Sequence, residues 1–176
     1  LRRQRQMCIR DSYQGTEVPF PTLVDPDNRR PVDFAARADL LDRLDAGHTP
    51  GLDDPAAAKL AVVAGVLRAR RDRPELFTGH RPLDVSGPAA EHAIAFDRGG
   101  ALAVATRWPV RLAAAGGWGQ TVVTVPAGRW EDAVTGHPVH PDARGAVRLD
   151  ELLSTLPVAL LVPAHAPSDR RERTAP

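Results

Sequence analysis

The chain has 176 residues, room for one domain or for a small domain joined to a piece of another. Its formal net charge is +1, so no global field draws it to nucleic acid or to a membrane surface. The single cysteine, Cys8, excludes an intrachain disulfide and a cysteine-based zinc cluster, and a reducing cytoplasm is the compartment that fits. No apolar run reaches the roughly 18 residues needed to span a bilayer; the longest, Leu60 to Leu67, contains Gly65. Lys59 is the only lysine, so the choice of arginine at any one position carries little information about geometry.

The first stretch, LRRQRQMCIRDS, is basic and has no apolar core, so it does not read as a secretory leader. The chain begins with Leu1 and its one methionine is Met7, which leads us to expect that residues 1–12 are a foreign or mis-joined tail and that the rest is cut from something longer. A nucleic-acid arm built on Arg2, Arg3, Arg5 and Arg10 is the rival reading, and the weaker one. Residues 13–30 are irregular and rich in proline and polar side chains. Pro31 then opens a helix expected over 31–45, with Asp33 in its first turn and Phe34, Ala38, Leu41 and Leu44 as one apolar stripe; Gly47 is its stop. Asp54 caps and Pro55 opens a second helix to about Arg71, ended by Pro74. Arg68, Arg70, Arg71 and Arg73 crowd its end; dipole complementation and solvated surface explain them better than an anion site does.

From about residue 80 the period changes. HAIAFDRGGALAVATR is two short apolar runs around Arg98-Gly99-Gly100, a hairpin signal. QTVVTVPAGRW carries another strand. Further short strands are expected over 129–134, 137–140, 146–149 and 158–162, with one helical turn within 149–156. Short strands at near-regular spacing, with Gly or Pro between them, predict a small antiparallel β-sandwich. The tail after Pro163 has nothing to bury and reads as disordered. Two helices and a loop cannot build an independent core, so their apolar faces need a partner that this sequence lacks.

Chemistry concentrates between residues 13 and 34, YQGTEVPFPTLVDPDNRRPVDF. Tyr13, Gly15 and Glu17 match a Tyr-x-Gly-x-Glu pattern after the last barrel strand in the α-amylase family of glycoside enzymes. LVDPDNRRPVDF is more specific. With LRARRDRPELFTGHRPL, GGWGQTVVTVPAGRWEDAVTG and LLSTLPVALLVP, it resembles the C-terminal region of the maltooligosyltrehalose synthases in order and spacing, over residues 13–163. The fold class this implies is α/β plus β: the last loop and helices of a truncated (β/α)8 barrel over 13–77, a small antiparallel β-sandwich C-terminal domain over 78–163, and a tail from 164. The implied activity is intramolecular transglycosylation, turning the reducing-end α-1,4 linkage of a maltooligosaccharide into an α,α-1,1 linkage. The nucleophile and acid of such an enzyme lie upstream, so no catalytic residue is assigned here and the chain is expected to be inert alone. Its expected partners are a maltooligosaccharide and the missing N-terminal barrel of the same chain, with no nucleic acid, membrane, metal or cofactor.

Asp25, Asp27 and Asn28 offer acceptors and donors suited to vicinal sugar hydroxyls, and Arg29 and Arg30 bring rigid donor forks. Turn chemistry is the plain alternative for all five. Tyr13 is expected either to stack on a sugar ring or to pack the loop down, and Glu17 to be a structural acid taking loop N–H bonds. Trp108, Trp118 and Trp130 suit a half-buried role better than a sugar platform. His80, His92, His137, His140 and His165 are scattered, and His137-Pro-Val-His140 lacks a third ligand for zinc. The competing functions are a fragment of the sibling trehalohydrolase or another amylase-family hydrolase, and a free-standing glycan-binding β-sandwich.

Overall fold

The computed structural model describes residues 15–21 and 31–164. The chain divides into two compact units, residues 1–64 and 65–176, with the boundary inside one helix.

In the first unit, α1 runs over Phe34–Asp45 and α2 begins at Pro55, running over Pro55–Asp72. Both starts follow from local chemistry. The Asp33 carboxylate accepts the Ala36 N–H at 2.9 Å and the Asp54 carboxylate accepts the Ala57 N–H at 3.0 Å, each taking a donor that the first turn leaves orphaned. Leu40, Ala57 and Leu60 are buried together, with Val18, Leu41, Leu44 and Ala56 packed around them. The inward face of α1 therefore differs from the expected stripe. Arg37, Leu40, Leu41 and Leu44 share it, while Phe34 is 54% exposed and Ala38 is exposed. Apolar spacing alone could not see that an arginine takes the place of the first apolar residue.

The second unit is mostly sheet with few helices. The rest of α2 leads into a 3-10 turn at Pro74–Phe77. Nine short strands follow: β1 (Arg81–Pro82), β2 (Val85–Ser86), β3 (Ala93–Asp97), β4 (Leu102–Thr106), β5 (Val122–Thr124), β6 (Trp130–Asp132), β7 (Pro138–Val139), β8 (Ala146–Arg148) and β9 (Val158–Pro163). Two short helices interrupt them, α3 (Pro109–Ala114) and α4 (Leu149–Leu152). Among the described residues one sheet has the order β1-β3-β4-β9-β6-β7 and the other β2-β5-β8, and every pairing is antiparallel. The β3–β4 hairpin forms at the expected turn, where the Asp97 carboxylate accepts the N–H groups of Gly99 and Gly100, each at 2.7 Å. The sequence reading did not anticipate β1, β2 or α3. The two strands are two residues long, below any usable period, and α3 follows a residue in a left-handed conformation.

Both sheets contribute to one core. Leu102, Val104, Ala159 and Leu161 of the larger sheet pack with Val123 and Val147 of the smaller one, joined by Trp130 and Leu149. Each such Leu or Val side chain stabilises the fold by about 1.5–3 kcal/mol when fully buried. A second cluster of Leu76, Ala101 and Leu160, with Val66 and Ala69 against it, lies under the end of α2 and the turn after it. Gly65 permits that approach: a Cβ there would stand 2.8 Å from the Ala133 carbonyl oxygen.

Candidate functional site

Tyr13, Asp25, Asp27, Asn28, Arg29 and Arg30, the residues expected to face substrate, lie outside the described residues. What the structure describes is the frame on either side of them. Gly15 has φ 89°, a left-handed conformation that favours glycine, and a Cβ there would meet Val32 Cγ2 at 2.6 Å. The 15–21 stretch and the residue following the polar loop therefore touch closely at one point.

Arg37 on α1 ties this frame together. Its guanidinium donates to the Gly15 carbonyl at 2.6 Å and to the Asp33 carbonyl at 2.8 Å. Its Nε faces the Glu17 carboxylate at 3.6 Å, and its Cζ lies 6.0 Å from the centre of the Phe20 ring. Glu17 was expected to take loop N–H bonds; what its carboxylate faces in the structure is this helix guanidinium. Sequence reasoning missed Arg37. It stands 22 residues from Gly15, and nothing in its neighbours marks it.

In the second unit the aromatic and titratable candidates do not converge on one site. Trp130 is buried and donates its indole N–H to the Pro126 carbonyl at 3.0 Å, and Trp118 packs half-buried against the core. Trp108 is 43% exposed. Arg71 is held by Asp72, while Arg73 donates to the Pro163 carbonyl at 2.7 Å and faces Glu75 at 3.7 Å, which favours the plain reading of the basic helix end. Among the described residues no group of three His, Cys, Asp or Glu side chains is placed to hold a metal ion.

A cavity of about 180 Å³ is bordered by Asp132, Thr135, His137, His140, Arg148 and Glu151. Its strongest polar groups are already engaged. The buried Asp132 carboxylate accepts from the backbone N–H of Leu160 at 3.0 Å, that of Val134 at 3.1 Å and the Thr135 hydroxyl at 2.7 Å. Arg148 is paired with Asp150 and faces Glu151 at 3.5 Å. The Arg148 guanidinium holds the Asp150 carboxyl below the usual carboxylate range. The Asp132 bonds tie β6 to β9 and the Arg148 contacts tie β8 to the start of α4, and a ligand would have to displace them. Asp132 was also missed in the sequence; the Asp-Ala-Val-Thr spacing that lets it take Val134 and Thr135 is its only local signal.

The described residues build a mostly-sheet unit with few helices. Sequence and structure comparison specify it further. No family model matches the chain. A relative from Mycobacterium tuberculosis, named "Putative maltooligosyl trehalose synthase", is 44% identical over 161 residues, 90% of this chain and 19% of its own length. The solved maltooligosyltrehalose synthase from Arthrobacter ramosus is 58% identical, with a TM-score of 0.80 over 86% of this chain and 20% of that one. A glycosyltrehalose synthase designated DSM5389 is 25% identical, with a TM-score of 0.58 over 86% of this chain. The chain is a homologue of one segment, the C-terminal part, of the maltooligosyltrehalose synthases. It spans about a fifth of the length of the relatives it matches.

Proposed function

We propose that this chain forms the closing part of an intramolecular transglycosylase that moves the reducing-end α-1,4 linkage of a maltooligosaccharide to an α,α-1,1 linkage. The observation that carries this reading is the 58% identity to the Arthrobacter ramosus maltooligosyltrehalose synthase, kept over 86% of the chain. In this reading residues 13–77 are the last loop and helices of a (β/α)8 barrel and residues 78–163 a C-terminal antiparallel sandwich. The rest of the barrel belongs upstream in the same polypeptide, in the cytoplasm.

The chemistry would be retention by two inversions. A carboxylate attacks the anomeric carbon while a carboxylic acid protonates the leaving oxygen, and both groups belong to the upstream part. The freed glucose then turns and attacks through its own anomeric hydroxyl, and water must be kept out for this to outrun hydrolysis. The role of the present chain is to hold that glucose. Asp25, Asp27 and Asn28 bond its hydroxyls, Arg29 and Arg30 supply donor forks, and Tyr13 stacks on a ring. The clamp of Arg37 on Gly15 and Glu17 supports this assignment, because a binding loop needs rigid ends. By itself the chain lacks the reacting carboxylates and is inactive.

The test is a hybrid in which this chain replaces the matching fifth of the Arthrobacter ramosus enzyme. Arg29→Ala and Asp25→Ala in the hybrid are each expected to lower kcat/KM on maltopentaose by about tenfold or more, as loss of a charged hydrogen bond should. Unchanged kinetics in both variants would remove the loop from the substrate site.

A further inference from the structure

We propose that Trp108, Arg107 and Arg111 form a glucan-binding surface on the β-rich unit. The proposal rests on the reading that the substrate is a maltooligosaccharide. Three observations carry it.

The first is backbone conformation. Trp108 lies at φ 52°, ψ 54°, the only non-glycine residue with positive φ among the described residues. A bulky side chain in that region is an outlier, kept only where the surroundings over-determine it. They do so here. The Arg107 N–H donates to the His92 carbonyl at 2.7 Å, the Leu112 N–H donates to the Trp108 carbonyl at 3.0 Å, and Pro109 fixes the next residue as the first of α3. The buried His92 ring lies 3.3 Å from the Arg107 carbonyl oxygen through Nδ1 and meets the indole nearly edge-on, at 6.1 Å and 84°.

The second is that core packing does not account for the strain. Trp130, in ordinary backbone, is buried, whereas Trp108 is held in a costly conformation and left 43% exposed, beside Val110 at 82%.

The third is the company the ring keeps. Arg107 Cζ lies 3.6 Å from the indole centroid and Arg111 Cζ 5.3 Å from it. Among the described residues no carboxylate stands within ion-pair distance of either guanidinium, so both keep their N–H groups for a ligand. Arg107 stacks on the indole, so it is the exposed part of the ring left uncovered that receives the C–H face of a pyranose, while planar guanidinium forks donate to paired hydroxyls. The occupant we infer is the uncharged polyol, because the exposed aromatic ring gives an anion nothing to bind, and inorganic phosphate in the test separates the two.

The experiment is a titration of the ¹⁵N-labelled 176-residue chain with maltoheptaose, following the indole N–H resonances, with the Trp108 signal assigned through Trp108→Phe. The Trp108 resonance is expected to move saturably while that of buried Trp130 stays in place. Arg107→Ala and Arg111→Ala should each weaken the binding about threefold, with the Trp130 signal reporting an intact fold. A Trp108 resonance unmoved by millimolar sugar would overturn the proposal. So would one moved by inorganic phosphate but not by maltoheptaose, or sugar binding undiminished in both arginine variants. An active hybrid with no titration sinks this surface alone, and a saturable titration beside an inactive hybrid sinks only the reading on which it rests.

Discussion

At the residue scale, three side chains set the local energetics. Arg37 answers a backbone carbonyl on each side of the polar loop and faces Glu17, so Arg37→Ala is expected to speed amide exchange over residues 15–20 by about tenfold, the loss of one charge-assisted hydrogen bond. Gly15→Ala should loosen the same stretch, because its φ of 89° and the Val32 methyl 2.6 Å from a Cβ both penalise a side chain. Asp132 takes two backbone N–H groups that nothing else reaches, and Asp132→Ala is expected to cost about 3 kcal/mol, read as a lowered urea midpoint. Asp97 gives a pH signature. Burial pushes its carboxyl up, but the N–H groups of Gly100 and Gly99 and the Arg81 guanidinium together hold it below the usual range. Its folded value is thus below the unfolded value of about 3.9, so its contribution is complete above that pH and is lost as pH falls through the folded value. Asp97→Asn should flatten the acid branch of the stability profile in that window by lowering stability near neutrality, with the variant and the parent chain converging below the folded value.

At the element scale, the second helix start and the central hairpin were legible because single residues make them, whereas the first helix was expected from Pro31 with Asp33 in its first turn and instead begins at Phe34 with Asp33 as its cap. Asp33 and Asp54 cap as their type and position dictate, and Asp33→Ala should lower stability by about 1 kcal/mol in thermal unfolding. Asp97 ahead of two glycines closes the β3–β4 turn. The inward face of α1 was only half legible: Leu41 and Leu44 pack as the stripe implied, but the choice of Leu40 and Arg37 over Phe34 depends on Ala57, Leu60 and Gly15, which are distant in sequence. The α3 start was illegible because a left-handed tryptophan has no local sequence mark. The polar loop was legible only through resemblance, its residues offering turn chemistry and ligand chemistry alike. Gly65 separates propensity from packing. In an isolated helix alanine would gain about 1 kcal/mol over glycine. Here its Cβ would stand 2.8 Å from the Ala133 carbonyl oxygen, backbone that cannot swing aside, so Gly65→Ala is expected to lower the urea midpoint.

At the scale of the whole molecule, the two units differ in how much they bury. The β-rich unit shares one core between two sheets and adds a second cluster beneath α2. The first unit buries Leu40, Ala57 and Leu60 together and leaves Phe34 and Leu52 largely exposed. So small a cluster offsets little of the entropy of ordering two helices, and amides of α1 should exchange orders of magnitude faster than those of β4 and β9. That imbalance accords with the proposal that this chain forms the closing part of a larger enzyme. The most direct measurement is conversion of maltopentaose, followed as loss of reducing ends without release of glucose. The 176-residue chain alone is expected to give none, and the hybrid that carries it in place of the matching fifth of the Arthrobacter ramosus synthase is expected to give turnover. Conversion by the isolated chain, or a folded hybrid with no conversion, would contradict the account.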